Sequence, residues 1–302
     1  MTQLQKYIWL IENIRRTGRI SFNELSDRWE RNKDLSDYRP LPRTTFNRWK
    51  DAIELLFGIN ICCQHTTRGY LYYIENPDEI DKHKVKKWMI DSFATGNLIG
   101  ENLSLKDRIL VEETPSGYDH LASILTAMKE NKVLNITYRS FQNKESRTFD
   151  ANPYCVKLFE KRWYVLTRRE DRNAFFIYAL DRIQHLDITD KSFSYPKDFS
   201  ADEYFADYFG VVTAPNKKPE RIVLRAYHAH KSYMESLPLH HSQRRIGGTD
   251  DYDDFELYLT PTYDFVMRLL HVGAMIEVRQ PLSLRHTMKG WITDMAELYE
   301  ND

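Results

Sequence analysis

Cysteine is scarce in this 302-residue chain, with three in all. Cys62 and Cys63 are adjacent and Cys155 stands alone, which excludes a disulfide scaffold and a cysteine-based zinc site. Apolar runs are short as well. None approaches the ~20 residues that a membrane helix requires, so no membrane partner is expected. The N-terminus, MTQLQKYIWLIENIRR, has no cationic start ahead of an apolar run and no small-residue cleavage site. It reads as a helix rather than a signal peptide, and the cytoplasm is the expected compartment. Glycine-rich phosphate loops and Gly-x-Ser-x-Gly elbows are missing. His228, His230, His240 and His241 have no cysteine or ordered carboxylate beside them and read as structural or solvated side chains. No catalytic residue, metal ligand or cofactor is expected, and the chain is not expected to be an enzyme.

The composition does support folding. Hydrophobic residues make up 42% of the chain and aromatics 13%, enough for cores in two or three domains. The formal net charge of -1 conceals segregation. Residues 1–74 hold 12 Lys and Arg against 8 Asp and Glu, and residues 132–185 hold 11 against 6. Two separate basic surfaces in one chain invite polyanions, nucleic acid first, although ordinary solvated faces have the same composition. Asp250, Asp251, Asp253, Asp254 and Glu256 lack calcium-loop spacing and read as a solvated acidic loop.

The first segment, 1–75, reads as three helices and a hairpin. Leu4, Ile8 and Ile11 recur at helical spacing before Gly18. Ser21 and Glu24 form a capping box for a second helix. Pro40-Leu41-Pro42 opens a third over residues 43–57. Phe46, Trp49, Ile53 and Leu56 give that helix an apolar stripe, with Arg43, Thr44, Asn47 and Arg48 on the other side. Strands at 59–64 and 70–74 follow. This is the layout of a winged helix-turn-helix, with the third helix in the major groove of double-stranded DNA. Arg43, Thr44, Thr45, Asn47, Arg48 and Lys50, with Arg68 in the wing, are the expected DNA contacts. A helical protein-interaction domain with a solvated basic face is the alternative.

Residues 76–118 read as a helical linker, with Gly96 and Gly100 as loop signals and the basic run KHKVKK at 82–87 on a helix surface. A helix at 120–132 then precedes short β-rich runs at 133–138, 147–153, 154–159, 163–168, 175–179 and 183–188, the pattern of a small barrel. Residues 193–218 form a polar linker dotted with aromatics. The last 84 residues, 219–302, mix strands and helices in an α+β unit. The fold class is thus α+β and multidomain.

The middle segment resembles the WYL-domain transcriptional regulators. LTAMKENKVLNITYRS is similar to that family's opening helix and first strand, and RTFDANPYCVKLFEKRWYVLTRRED to its proline-centred turn and signature. The signature reads Trp163-Tyr164-Val165, with Val in the Leu position, and FFIYALDRI resembles the closing strand, ending in Asp181-Arg182-Ile183. FSYPKDFSADEYFADYFGV matches the usual exit, and the tail resembles the family's C-terminal extension. The N-terminal segment departs further: Arg43-Thr44 is followed by Asn47-Arg48 where the family often carries Arg-Asp, so the operator sequence does not carry over.

The resemblance implies a Sm-like small β-barrel at 119–192, an effector-sensing role and a homodimer. It implies an anionic effector, single-stranded nucleic acid or a nucleotide. Tyr138, Arg139, Arg147, Tyr154, Trp163, Tyr164, Arg168, Arg169 and Arg182 are the candidate ligand contacts, because guanidinium groups bind phosphate bidentately and stack on bases. Arg139, Arg168, Arg169 and Arg182 are expected to converge beside Tyr164. Trp163 as barrel core, and Arg182 as a structural brace to Asp181 or a backbone carbonyl, stay open. The helix carrying Phe265, Leu269 and Leu270 is the expected aid to dimerisation. The expected function is ligand-responsive transcriptional regulation. A nucleic-acid-processing enzyme or accessory factor using the same basic surfaces is the alternative.

Overall fold

Thr2 caps the first helix, α1 (Gln3–Thr17), by a capping box with Gln5, and Gly18 at φ +72° ends it. The structure is a computed structural model that describes residues 2–32, 36, 38–67, 69–112, 117–141 and 145–300. The chain divides into two units, Met1–Glu112 and Glu113–Asp302.

In the first unit a two-residue strand, β1 (Ile20–Ser21), leads into α2 (Phe22–Arg31). The Ser21 hydroxyl accepts the Glu24 amide at 3.2 Å, but the Glu24 carboxylate is engaged by Arg28 at 2.8 Å, so half of the expected capping box forms. Next, α3 (Arg43–Phe57) starts behind Pro42 and stops at Gly58, whose left-handed φ of +71° suits glycine. A hairpin of β2 (Ile61–Thr66) and β3 (Gly69–Ile74) follows, and β1 joins its other edge to give the sheet order β1-β3-β2. The helix α3 buries Phe46, Trp49 and Ile53 as expected. Leu56 departs from the expected stripe: it is 52% exposed, and Phe57, one position on, takes the inward place at 4%. Three indoles run through this core in edge contact, Trp9–Trp29 at 5.2 Å and Trp29–Trp49 at 5.1 Å.

The expected helical linker contains α4 (Asp78–Lys82) and the 18-residue α5 (Lys84–Glu101). Ile90 and Ala94 of α5 close the same core as α1. Gly96 and Gly100 lie within α5 and do not end it; burial of one face outweighs their poor helix propensity. The KHKVKK run is largely paired, Lys82 with Glu79 at 2.6 Å and Lys87 with Asp81.

The second unit opens with α6 (Tyr118–Glu130), followed by β4 (Lys132–Tyr138), β5 (Arg147–Phe159), β6 (Arg162–Arg169), β7 (Ala174–Ala179), a 3-10 turn (Leu180–Arg182) and β8 (Ile183–Ser192). These strands form an antiparallel sheet in the order β7-β6-β5-β4-β8. The two expected runs at 147–153 and 154–159 are one strand of 13 residues. Pro153, which cannot donate to a ladder, sits at a register shift between Pro153 and Cys155 rather than in a turn. Ile124 and Ala127 of α6 pack on Leu134, Ile136, Ala151, Val165 and Leu180.

After β8 a short helix, α7 (Ala201–Phe205), brings Phe199 and Tyr204 against Phe175 and Tyr154. The remaining elements are β9 (Glu220–Tyr227), α8 (His230–Ser236), β10 (Arg244–Gly248), β11 (Tyr252–Leu259), α9 (Tyr263–Val272), β12 (Ile276–Gln280) and α10 (Leu282–Tyr299). Their antiparallel sheet has the order β10-β11-β9-β12. The expected acidic loop is corrected: Asp253, Asp254 and Glu256 lie in β11. Asp253 pairs with Arg245 at 2.6 Å, Asp254 with Arg225 at 2.8 Å, and Glu256 with Arg221 and Arg244. Phe265 and Leu269, expected to aid dimerisation, are both fully buried in this unit's own core, with Leu270 packed beside them.

A joint links the strand β5 to α9. The Asp264 carboxylate accepts the amides of Val211 and Val212, each at 2.7 Å, and Lys157 of β5 donates to the Gly210 carbonyl at 2.6 Å. A Cβ on Gly210 would lie 2.3 Å from the Asp264 carboxylate.

Candidate functional site

Two places gather the residues that the sequence singles out. The first is α3. Its apolar side is spent in the core, so Thr44, Asn47 and Arg48 stand exposed on the opposite side. Thr45 and Lys50 are half-buried, and Lys50 leans towards the Tyr72 ring, 5.6 Å from its centroid. Arg43 departs from the expected face. Its guanidinium lies 4.3 Å over the Phe22 ring and donates to the Tyr72 hydroxyl at 2.5 Å, which ties the first turn of α3 to β3. Arg68, expected in the wing, lies outside the described residues.

The second place is the end of the five-stranded sheet. Period-two alternation puts Trp163, Val165 and Arg169 on one face of β6 and Tyr164 and Arg168 on the other. Trp163 packs on the sheet's core, and Arg169 ends the same row, 4.3 Å over the Phe149 ring and bonded to Asp171 at 3.0 Å. Burial pushes the Tyr178 phenol up, opposed by its bond to Arg169. Tyr138 stands 4.9 Å from Tyr178, and Arg147 lies opposite Tyr138 in the ladder. Tyr138, Arg147, Arg169 and three aromatic rings thus share one rim.

Beside it the turn after β7 holds Arg182. Gly117, at φ +53°, lets α6 start against this turn; a Cβ there would be 2.8 Å from that of Leu180. His120 holds the Ile183 carbonyl at 3.0 Å, and the Arg139 amide donates to the Arg182 carbonyl at 3.2 Å. So braced, Arg182 lies 3.8 Å over the Phe141 ring, and its buried Nε makes no hydrogen bond. Arg139, Phe141, Arg182 and Gln184 line a cavity of about 380 Å³. Asp181, on its wall, is held by Arg162 at 3.3 Å rather than by Arg182, so the expected Asp181 brace is not made. Tyr164 has its phenol pushed up by burial, opposed by Arg162 and Arg182.

The expected convergence of four arginines is corrected. Arg139 and Arg182 share the cavity and Arg169 belongs to the neighbouring rim, but Arg168 points from the other face of β6 and bonds Asn173 at 2.8 Å. Tyr154 is corrected as well: it is buried among Phe175, Phe193, Tyr195 and Phe199, away from the arginines. Sequence reasoning missed Phe141, Phe149, Phe176 and Tyr178. The alternation of Phe176 and Tyr178 in FFIY was the available signal for two of them. Among the described residues no group of three or more His, Cys, Asp or Glu side chains could hold a metal ion, and no helix is long and apolar enough to cross a membrane.

Among known proteins, no curated sequence matches the chain. Proteasome accessory factor B/C (PafBC) of Arthrobacter aurescens is similar in structure at 15% identity and a TM-score of 0.32, with 94% of this chain and 45% of that one covered. The chain therefore spans less than half the length of that protein. A CRISPR Cas-related protein is similar at 11% identity and a TM-score of 0.42, covering 99% of this chain and 87% of that one. The WYL domain family matches residues 119–188, the stretch that carries β4 to β7, the rim and Arg182. Residues 119–188 of this chain are a WYL domain.

Proposed function

We propose that the protein is a ligand-responsive, DNA-binding transcriptional regulator. In this reading residues 1–75 are a winged helix-turn-helix, and residues 119–192 are a Sm-like barrel that senses an anionic effector, a nucleotide or single-stranded nucleic acid. The observation that carries it is Arg182: a guanidinium stacked on Phe141 with an unpartnered Nε beside a cavity that also holds Arg139. A phosphate there would supply the missing acceptor through a charge-assisted bond, and the neighbouring rim offers rings for a base. The exposed Thr44, Asn47 and Arg48 support the DNA arm, being donors of the kind that read base edges and phosphates. Two-fold DNA sites would call for a homodimer.

The test has two parts. A random duplex pool is selected on the full chain, and the enriched duplex is titrated by fluorescence anisotropy at two salt concentrations. Nucleotides and short single strands are then added to the complex. Salt-dependent affinity, altered by an anionic effector in the parent chain and not in Arg182→Ala, is the expected result. The absence of any enriched duplex would refute the DNA arm, and an unchanged response in Arg182→Ala would refute the sensor.

A further inference from the structure

The first unit holds a cavity of its own, about 510 Å³ in volume, between α1, α2 and α5. Its walls bring together Arg16 of α1, Arg28 and Arg31 of α2, and Asn97 of α5. None of the α3 residues exposed for DNA lines it. Arginines near helix C-termini are explained in part by the helix dipole, and both α1 and α2 carry theirs in the last turn. The dipole does not explain the rest of the arrangement. Arg28 reaches across to the Asn13 side-chain carbonyl at 3.2 Å, and that Asn13 is buried and anchored to the Trp9 carbonyl at 2.9 Å. Asn97 turns a buried amide nitrogen with no hydrogen-bond partner, from a third helix. Among the described residues Arg16 and Arg31 form no ion pair. Among the described residues Glu12 is the one carboxylate on the wall, and Arg15 engages it at 3.3 Å.

Three guanidinium groups and an orphaned amide donor therefore line one space. An unfilled buried donor is costly. Arg28 is paired with Glu24 at 2.8 Å, and the unpaired positive charge of Arg16 and Arg31 is a second cost. An occupant with two or more negative charges relieves both. Inorganic phosphate would leave most of the volume empty, whereas the space lies in the range of small-molecule sites, about 300–1,000 Å³. Trp9, Ala94 and Leu98 supply an apolar wall for an uncharged part. We infer that the first unit carries its own binding site for a phosphorylated small molecule of about mononucleotide size, held by Arg16, Arg28, Arg31 and Asn97. Trp29 of α2 touches both Trp9 on this wall and Trp49 on α3, so an occupant that clamps α2 bears on the helix proposed to read DNA.

The test uses the full chain and a panel of AMP, GMP, CMP, UMP and ribose 5-phosphate, with adenosine as the uncharged control. Calorimetric titration is run on the parent, Arg16→Ala/Arg31→Ala, Asn97→Leu and Arg182→Ala. Arg16 and Arg31 are exposed, so their loss leaves the fold intact. The expected result is binding of at least one phosphorylated member, with adenosine silent. At least one binding event falls at least about tenfold in Arg16→Ala/Arg31→Ala, weakens in Asn97→Leu and persists in Arg182→Ala. No binding across the panel at millimolar concentration overturns the inference. So does loss confined to Arg182→Ala, which would place the ligand in the WYL domain. If Arg16→Ala/Arg31→Ala binds the panel normally but shows a shallower salt dependence for DNA, these arginines are duplex-phosphate contacts and the inference falls. The sensor proposed in the WYL domain stands or falls separately, on Arg182→Ala alone.

Discussion

Arg43 and Arg48 sit five positions apart on one helix, and replacing each by alanine should have opposite consequences. Arg43 makes two contacts that a truncation removes. Its bond to the Tyr72 hydroxyl is charge-assisted, at 2.5 Å, and its guanidinium rests 4.3 Å from the Phe22 ring centroid. In a partly exposed setting the bond is worth about 1 kcal/mol and the cation–π contact about 0.5–1 kcal/mol. Arg43→Ala should therefore destabilise the first unit by about 2 kcal/mol. At roughly 4 °C per kcal/mol for a unit of this size, its melting temperature falls by about 8 °C. Arg48 is exposed and, among the described residues, forms no ion pair. Arg48→Ala should change stability by less than about 0.5 kcal/mol. Its expected cost falls on DNA, about 1–3 kcal/mol or roughly 5- to 150-fold in affinity for the selected duplex. Calorimetric melting and fluorescence anisotropy on both variants separate the two. An Arg43→Ala protein that melts with the parent would show that the Tyr72 and Phe22 contacts hold nothing. An Arg48→Ala protein with parental affinity would remove α3 as the reading helix.

Gly210→Ala should destabilise the second unit by about 2–4 kcal/mol, read as a lower urea midpoint, because the new methyl displaces the carboxylate that holds the Val211 and Val212 amides; an unchanged midpoint would show that the joint yields freely. Burial tends to raise the Glu277 carboxyl, but bonds from Arg285, Tyr227 and Arg279 outweigh it and bring it to about 2. A depressed folded value gives stability that is present above the ordinary carboxylate range and lost as pH falls towards 2. Glu277→Gln should thus flatten the acid limb of a stability–pH profile below about pH 4.5, and a limb of parental steepness would contradict the assignment. Burial pushes the Cys155 thiol up to about 11, whereas Cys63 is exposed. A thiol reagent at pH 8 should label Cys63 in the folded chain and reach Cys155 only after denaturation, as peptide mapping would reveal.

Much of the architecture was legible because it rests on local patterns. The strands of the WYL domain follow from dense β-branched and aromatic runs, and α3 from a proline start, a three-to-four spacing and a glycine stop. What escaped depends on partners far along the chain. Helix was expected in the linker, but Gly96 and Gly100 read as loop signals; α5 runs through both because Ile90 and Ala94 find the core built by α1. The acidic stretch looked solvated because its arginine partners, at positions 221, 225, 244 and 245, lie in other strands. At the candidate site, Arg139 and Arg182 were legible as a pair flanking the motif. Arg168 was not separable from Arg169 until the strand phase fixed which of two adjacent side chains shares a face with Val165. Phe141 carries no pattern at all; it lies in a loop, and only its ring beneath Arg182 identifies it.

The indole row in the first unit also gives the protein an optical signature. Three of the six tryptophans, Trp9, Trp29 and Trp49, meet edge to face at centroid distances of 5.1 to 5.2 Å, with interplanar angles of 68° and 74°. Rings this close and this asymmetrically disposed couple their ultraviolet transitions, so the near-ultraviolet circular dichroism of the whole chain is weighted towards the packing of α1, α2 and α3. Trp163 and Trp291 belong to the other unit, and Trp88 is exposed. A single unlabelled spectrum therefore follows the register of the middle helix against its two neighbours. A shift of α2 by a fraction of a turn would change the sign or size of the coupled bands before any helix melted.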